Sequence, residues 1–375
     1  MAITGDKQIQ EAGEGSTQLQ AGTINIYNGI DEKRAREIVD ERLHELLSQY
    51  SQEAHNLAIE RIQEFADDFI PKLVKQGLLE SFGDPSVQVL LQEAQKSAAS
   101  TEREADKELL SELLIHRIQK GENRHVRAGV SQAVKIVDEI SDEALLGLTV
   151  AHSVLNYLPI CNNLDDGLRI LANLFERVRY GDLPKGSDWL EHLETLNCTR
   201  IIALHHMKKV KEVYADLMPG LIGIGIEIGS ESYNKAIDIL KKAQLGINSF
   251  TDHDLRDNYV RLGIIDINRL DLVVNKGEAS FRDKNGMLYK IPMEFQLNDN
   301  QKQALRDVYA LYEKDENKLK ENKDRFMDRW NQYESLRIVG EWWDSLNDGF
   351  KITSVGRVLA HANAKRCDAR LPDLD

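Results

Sequence analysis

The tripeptide Gln8-Ile9-Gln10 returns ten residues later as Gln18-Leu19-Gln20, and a third unit, Ile24-Asn25-Ile26, follows closely. Each unit alternates apolar and amide side chains, which is the pattern of a short β-strand. Glycines separate the units where a chain of short strands would reverse, at Gly13, Gly15, Gly22 and Gly29. Residues 1–30 are therefore predicted to form a β-repeat segment.

This segment cannot bury an apolar face by itself, because a ribbon of two or three short strands is marginal in water. Stacked copies from neighbouring subunits would supply the missing partners, with amide ladders on the outside and aliphatic side chains in a dry layer. The alternative is a disordered tail rich in glycine and glutamine. We expect a homo-oligomer assembled through Gln8, Ile9, Gln10, Gln18, Leu19, Gln20, Ile24, Asn25 and Ile26.

Composition describes a globular chain of two or three domains, with 375 residues of which 42% are hydrophobic and 29% charged. A net charge of −14 opposes strong binding to duplex DNA, which depends on neutralising phosphates with Lys and Arg. The three cysteines, Cys161, Cys198 and Cys367, are odd in number and widely spaced. This pattern favours reduced thiols over a disulfide framework or a zinc site.

No stretch is apolar enough to insert constitutively into a membrane. The longest apolar run, residues 217–228, is interrupted by Pro219 and is shorter than the roughly 20 residues of a spanning helix. The sequence opens directly on the polar repeats, without the pattern of a signal peptide. We therefore expect a cytoplasmic location.

A long, coiled-coil-like helix is predicted over residues 31–71, because apolar positions recur there every three or four residues. It would extend for about 60 Å at about 1.5 Å per residue. Its packing partner is expected to be residues 100–120 or another subunit. Residues 31–120 make the second region of the chain, after the β-repeat segment at 1–30.

A helical domain is predicted over residues 121–247, where Ser141 is placed to cap a helix and His152 lies in an apolar stretch of that helix. His152 is interpreted as a core residue rather than a ligand. Glu227 stands among isoleucines and is either functional or on the exposed side of a strand.

The C-terminal residues 248–375 are predicted to be an α+β module. A helix over 255–263 is followed by a strand, and Asn285-Gly286 marks a β-hairpin. A long charged helix is expected over 300–346. Strand 350–353 then leads into a closing helix over 355–365 that is capped by Thr353 or Ser354.

The sequence contains none of the common catalytic motifs, so we expect no catalytic residue, metal site or cofactor. This favours a protein that is not an enzyme and leaves the question open. His205-His206 precede two lysines and are interpreted as a helix end. Asp252-His253-Asp254, with Asp257, would suit a divalent ion in principle. They are more simply explained as caps for backbone amides near a helix start.

Two ends of the chain carry resemblances. Leu262-Gly263-Ile264-Ile265 and Ile352-Thr353-Ser354-Val355-Gly356-Arg357 resemble a winged-helix module interrupted by a large helical insertion. Residues 5–30 together with residues 353–363 resemble an uncharacterised bacterial family of defence islands, and the Gln/Gly repeats are similar to amyloid-type signalling motifs. The resemblance implies anti-phage defence and assembly of identical copies.

The function expected from the sequence is that of a self-assembling, non-enzymatic scaffold, sensor or regulator in anti-phage defence, with a protein partner or a phage-derived trigger. Two alternatives stay open at this point. One is a nucleic-acid hydrolase whose acidic residues are dispersed along the chain, and the other is a membrane-damaging toxin. The fold class expected is mainly α, with the short β-repeat segment, the long helix, the helical middle and the α+β C-terminal module.

Overall fold

The computed structural model describes residues 30–47, 51–120, 123–159, 161, 163–202, 206–270, 275–282, 288–295 and 297–374. The expectation of a mainly α protein is confirmed in this part of the chain. In chain order its helices are α1 (Glu32–Leu47), α2 (Gln52–Gln76), α3 (Pro85–Ser100), α4 (Glu104–Gln119), α5 (Arg124–Lys135), α6 (Asp142–Asn156), α7 (Leu164–Val178), α8 (Asp188–Thr195), α9 (Val210–Leu217), α10 (Pro219–Ile222), α11 (Glu231–Lys242), α12 (Asp299–Ala310), α13 (Glu316–Trp330), α14 (Glu334–Ser345) and α15 (Ser354–Cys367).

The N-terminal β-repeat segment lies outside the described residues. The predicted assembly residues fall there, so the structure does not place them: Gln8, Ile9, Gln10, Gln18, Leu19, Gln20, Ile24, Asn25 and Ile26.

The single helix expected over residues 31–71 is two helices, α1 and α2. Ser51 precedes α2 with an extended backbone, φ −66° and ψ 159°, and serine favours such a position before a helix. The two helices pack on each other, and apolar residues such as Val39 and Phe65 are buried, whereas Leu57 is 48% exposed. The apolar stripe is thus divided between two helices that pack within one chain.

The expected pairing with residues 100–120 is confirmed, because α2 also packs on α4. The leucines that formed the predicted stripe of α4 are fully buried, namely Leu109, Leu110, Leu113 and Leu114. Further along, Ser141 caps α6 as predicted, because its Oγ accepts a hydrogen bond from the Ala144 amide at 3.2 Å.

Seven short strands form three small antiparallel groups in the described residues. One pairs two strands that are distant in sequence, the second has the order β2-β4-β3, and the third is a hairpin of β5 with β6. Their bounds are β1 (Thr199–Ile202), β2 (Ile226–Glu227), β3 (Phe250–Asp252), β4 (Tyr259–Leu262), β5 (Asn275–Arg282), β6 (Leu288–Phe295) and β7 (Gly349–Ile352).

Pairing between β1 and β7 joins the middle of the chain to its C-terminal end. Thr199 lies opposite Ile352 and Ile202 lies opposite Gly349. Helix α15 follows β7 directly and packs on α4, α5 and α6. The predicted strand at 350–353 and the closing helix are confirmed, and both help to build the site described below.

In the C-terminal third, the hairpin predicted around Asn285-Gly286 is confirmed as β5 and β6, with Arg282 opposite Leu288. The prediction of a helix over 255–263 is wrong, because residues 259–262 form β4, a central strand with all four residues buried. The side chains of this strand face both sides of a small sheet.

The long charged helix expected over 300–346 is three helices, α12, α13 and α14. The separation is local in origin, because Asp315 caps α13 by accepting a hydrogen bond from the Lys318 amide at 2.9 Å. The shorter helices turn Trp330 and Trp343 into the core, where both are buried.

The buried apolar side chains form two clusters. The larger one is built from α1 to α10, α13 to α15 and the strand β7, and it includes Phe65, Trp189 and Trp330. The smaller one lies between the sheet β2-β4-β3 and helices α11 and α12, with Val260 and Leu305 among its members.

Candidate functional site

A cleft of about 660 Å³ opens where the end of α6 meets the β1 and β7 pair and the start of α15. This volume lies in the range that small-molecule sites usually have. Its charged residues are all cations, Arg200, Lys351 and Arg357, and no carboxylate lines it. In a chain whose net charge is −14, such a surface stands out, and we call it the basic cleft.

The three cations of the basic cleft are exposed to solvent. Arg200 donates hydrogen bonds to the Thr199 carbonyl at 3.1 Å and to Asn197 Oδ1 at 3.0 Å. Within the described part of the chain, Lys351 and Arg357 form neither an ion pair nor a hydrogen bond through their side chains. Their positive charges are therefore available to an anion from solvent.

The first turn of α15 forms one wall of the cleft. Thr353 caps the helix by accepting a hydrogen bond from the Gly356 amide at 3.2 Å. Its own amide donates to the Cys198 carbonyl at 2.9 Å. Its hydroxyl donates to the Asn197 carbonyl at 2.6 Å, with the Cys198 carbonyl also within reach at 3.1 Å. A Cβ at Gly356 would lie 2.0 Å from the Cys198 carbonyl oxygen, so only glycine allows this close approach.

His152 of α6 contributes to the floor of the cleft and is only 1% exposed. The Asn156 side-chain amide lies 3.1 Å from its Nδ1 and also donates to the His152 carbonyl at 2.9 Å. Because that amide nitrogen is a donor, Nδ1 must accept, and the proton of the neutral ring is on Nε2. Burial, with the nearby His361 and Arg357, lowers the pKa of His152 to about 3, so the ring is neutral at pH 7.

Behind His152 lies a second group of buried polar rings. The His152 and His361 ring centroids are 6.2 Å apart, and His116 is 6.3 Å from His361. The Tyr157 hydroxyl lies 2.8 Å from His361 Nδ1. The Nε2 atoms of His116 and His361 are buried without a hydrogen-bond partner among the described residues.

The surroundings of these rings keep them uncharged. Burial, with the nearby His116, lowers the pKa of His361 to about 4, and burial also lowers the pKa of His116. Burial raises the pKa of the Tyr157 hydroxyl well above its usual value. The positive charge beside the floor of the cleft therefore comes from Arg200, Lys351 and Arg357 alone.

Other residues considered from the sequence have structural surroundings. Glu227 is exposed in β2, opposite Tyr259. His253 accepts a hydrogen bond from the Leu255 amide at 3.1 Å through Nδ1. Asp254 accepts one from the Leu164 amide at 3.1 Å, which caps the start of α7. His253 and Asp254 thus satisfy backbone amides, as the simpler interpretation predicted, but the helix start expected here is wrong because residues 259–262 form β4.

In the described ranges, no group of three or more His, Cys, Asp or Glu side chains is arranged to hold a metal ion. No described helix combines the length and the apolar character needed to cross a bilayer.

Sequence reasoning missed the basic cleft, because it predicted the strand β7 and the start of α15 but placed residues 199–202, which form β1, in a helical domain. Arg200, Lys351 and Arg357 come from two distant parts of the chain, and only the pairing of β1 with β7 brings them together. The one usable signal was the Thr353-Ser354-Val355-Gly356 stretch, which was correctly interpreted as a helix cap.

Comparison with known proteins gives one positive finding. A family model described only as ":-like" matches residues 29–372, a range that holds every residue of the basic cleft. No curated protein and no solved structure matches the chain.

Proposed function

We propose that this chain is a non-enzymatic sensor or regulator that binds an anionic ligand in the basic cleft. The chain belongs to the uncharacterised family whose model spans residues 29–372. Residues 5–29 couple identical subunits into an assembly. The C-terminal region, residues 248–375, meets a protein partner or a phage-derived trigger. The setting is the cytoplasm of a bacterium that defends itself against phage.

The composition of the basic cleft carries this proposal. Cations on a protein surface usually have carboxylates close by, and this chain has 62 acidic residues against 48 basic ones. The cleft nevertheless brings together three cations with no carboxylate in its lining. Mutual repulsion of unpaired like charges disfavours such an arrangement, and a bound anion would relieve it.

Thermal unfolding in the presence of anions tests this role. We expect sulfate, phosphate, citrate or ATP at constant ionic strength to raise the Tm, because a ligand at a hundredfold excess over its Kd adds about 2.7 kcal/mol of stability. Arg357→Glu should abolish the rise. Lys320→Glu makes the same charge change at an exposed position of α13 and should preserve it.

Two results would contradict the anion-binding role. One is the absence of a Tm rise with every anion. The other is an equal loss of response in Arg357→Glu and Lys320→Glu, which would mean that the anions act on net charge and not in the cleft.

The assembly role rests on the repeats and is tested by deleting residues 5–29. The deletion should reduce the native mass to that of a smaller species while the helical body stays folded. Ile24→Asp together with Ile26→Asp should do the same, since residues two apart share one face of a strand and both would place charges in the dry layer. An unchanged mass in sedimentation for both variants would favour the disordered tail.

The same proposal includes two structural details. Helices α1 and α2 pack between subunits in a coiled-coil-like way, and residues 248–375 form a winged-helix-like module that contacts protein rather than DNA. The net charge of −14 supports the second part. Nanomolar binding to duplex DNA at about 150 mM salt would overturn it, because specific binding needs local cations that overcome the acidic field.

A hydrolase acting on nucleic acid is the second candidate. It is favoured by one observation, the neutral His152 with a free Nε2–H beside three cations. The three cations could hold a phosphodiester, and the Nε2–H could donate a hydrogen bond to one of its oxygens. Turnover of RNA or DNA by purified protein, lost in His152→Gln and retained in Lys320→Glu, would select this candidate over the sensor.

A further inference from the structure

We propose that the basic cleft recognises an organic phosphate monoester, with the phosphoryl group at the first turn of α15 and the organic part against the apolar wall of the same cleft. This inference deepens the proposed anion-binding role and rests on it. The sources of such a group are a free metabolite, such as a nucleoside monophosphate, and the phosphorylated end of a nucleic acid.

The first turn of α15 presents unused donors. Among the described residues, no acceptor lies within hydrogen-bond distance of the backbone amides of Ser354 and Val355. Ser354 is exposed, and its hydroxyl forms no hydrogen bond in the described structure. Backbone amides at the start of a helix, together with the helix dipole, form a common phosphate-binding arrangement. Arg357 lies three residues after Ser354, on the same face of the helix.

A second, independent feature points to a ligand at this place. His152 lines the cleft and is only 1% exposed to solvent. Its Nδ1 is occupied by Asn156, whereas its Nε2–H has no acceptor among the described residues. Unlike the Nε2 atoms of His116 and His361, the His152 Nε2 is not a fully buried atom without a partner. It therefore remains accessible from the cleft, where an oxygen of a ligand would accept its hydrogen bond.

The number and kind of donors favour a phosphate monoester over other anions. The cleft lining offers the backbone amide and hydroxyl of Ser354, the His152 Nε2–H and the side chains of Lys351 and Arg357. The amide of Val355 follows in the same helical turn. A terminal phosphoryl group carries about two negative charges and three acceptor oxygens, which suits this set. A carboxylate has two oxygens and one charge. A long polynucleotide would also have to cross the acidic surface of a chain with charge −14.

Apolar side chains in the same lining provide for an organic part. Leu155 of α6 and Phe350 and Ile352 of β7 line the cleft beside the cations. Ligand sites typically combine such an apolar wall with a few polar groups that fix orientation. Inorganic phosphate would leave this wall without a contact, so a phosphorylated organic molecule fits the lining better.

The ligand class is tested by calorimetry on the full chain with matched probes. The probes are 5′-AMP, 3′,5′-cyclic AMP, adenosine, inorganic phosphate and citrate. We expect 5′-AMP to bind at least tenfold more tightly than cyclic AMP, which has the same base but a diester phosphate. Equal affinity for the two nucleotides, or a preference for citrate, would overturn the monoester inference while the anion-binding role stands. Failure of every anion to bind would remove both.

A second comparison distinguishes the two sources. An oligonucleotide with a 5′-phosphate is compared with the same oligonucleotide with a 5′-hydroxyl. Tenfold tighter binding of the phosphorylated form than of 5′-AMP assigns the site to nucleic-acid ends. Weaker binding than 5′-AMP assigns it to free metabolites. Equal binding of the two oligonucleotides at the affinity of 5′-AMP or tighter would contradict recognition of a monoester.

The placement of the phosphoryl group is tested with Ser354→Pro and Ser354→Ala. Ser354 is the first residue of α15, a position that accepts proline, and Thr353 before it is already extended with φ −76° and ψ 176°. Proline therefore removes the amide donor and the hydroxyl without breaking the helix, whereas alanine removes the hydroxyl alone. We expect Ser354→Pro to bind 5′-AMP at least tenfold more weakly than Ser354→Ala. Equal affinities would contradict the placement.

Two further measurements keep the test decisive. Arg357→Ala should weaken 5′-AMP binding at least tenfold, and Lys320→Ala should leave it unchanged. Titration of the ¹⁵N-labelled full chain should shift the Ser354 and Val355 amide signals, which tests the placement even if Ser354→Pro fails to fold. Saturation of the protein with no shift at either amide would overturn it.

Discussion

The basic cleft and the ion pair of Asp254 with Arg261 use the same kind of cation in opposite ways. Arg261 is buried, and its Nε and Nη2 donate to Asp254 Oδ2 at 2.9 Å and 2.6 Å. Arg357 is exposed in a cleft without carboxylates. A buried cation needs its partner inside the protein, whereas an exposed cation can keep its charge for a ligand. Arg261 therefore stabilises the fold, whereas Arg357 is available to a ligand.

Asp254→Ala should give the largest effect on stability. It removes the Asp254 carboxylate from beside the buried guanidinium of Arg261. It also removes the hydrogen bond from the Leu164 amide at the start of α7, so the free energy of unfolding should fall by about 3–5 kcal/mol. Denaturation in urea measures the loss. Asp257→Ala, at an exposed position nearby, should change the value by less than about 0.5 kcal/mol.

The double variant Asp254→Ala with Arg261→Met sharpens this result. If the loss of the Asp254 charge beside Arg261 is the cause, removing the Arg261 charge as well should restore more than half of the lost stability. A double variant as unstable as Asp254→Ala alone would mean that Arg261 has no role as a buried ion and that the comparison with the cleft fails.

The second largest change in the free energy of unfolding should come from lowering the pH. The unfolded chain has histidine pKa values near 6.5, whereas in the folded chain burial lowers those of His152 and His361 to about 3 and about 4. Below pH ~6.5 the unfolded state therefore binds more protons, and stability falls as the pH falls towards about 4. Each ring should contribute up to about 1.4 kcal/mol per pH unit.

Urea melts at pH 6.0 and 5.0 measure this slope. His361→Asn should reduce the slope by about the contribution of one ring, about 1.4 kcal/mol per pH unit. His206→Asn, at an exposed position, should leave it unchanged. A slope in His361→Asn equal to that of the natural chain would show that the folded protein does not exclude the proton from this ring.

Thr353→Ala should have an intermediate effect. It removes the side chain that caps α15 and whose hydroxyl also donates to the Asn197 carbonyl. Loss of an N-cap typically costs about 1 kcal/mol. Thermal unfolding should show this loss, whereas Thr353→Ser, which keeps the hydroxyl, should remain close to the natural chain.

Arg357→Ala should have the smallest effect on stability. The side chain is exposed and has no partner among the described residues, so its removal should change the free energy of unfolding by less than about 0.5 kcal/mol. A loss above about 1 kcal/mol would place Arg357 with Arg261 among the cations that hold the fold. The Tm of the ligand-free protein provides the measurement.

Local signals in the sequence predicted much of the fold. Ser141 and Thr353 cap helices as their sequence context indicates, and Asn285-Gly286 lies between paired strands. The breaks within the two long helical patterns were missed, at Ser51 and at Asp315. Asp315 caps α13 through its side chain, whereas Ser51 precedes α2 with an extended backbone and no capping hydrogen bond of its side chain. Both interrupt an otherwise continuous periodicity, and packing decides whether the break or the periodicity prevails.

The basic cleft could not be predicted from local pattern. Its cations become neighbours only through the pairing of residues 199–202 with residues 349–352. Such a pairing depends on the packing of the intervening helices, which periodicity does not reveal. For the same reason His152 looked like an isolated core histidine, although His116 and His361 lie close to it.

The late position of β7 and α15 also sets the order in which the chain gains its properties during synthesis. The Gln-rich repeats leave the ribosome first, whereas the cleft is incomplete until residues 349–357 have followed. At about 5–20 residues per second, the interval between the two is on the order of 20 to 60 s. On the assembly role proposed above, nascent chains on one messenger RNA would meet through their repeats before any of them has the complete cleft. A chain terminated before residue 349 would keep the repeats but lack the pairing of β1 with β7 that forms the cleft.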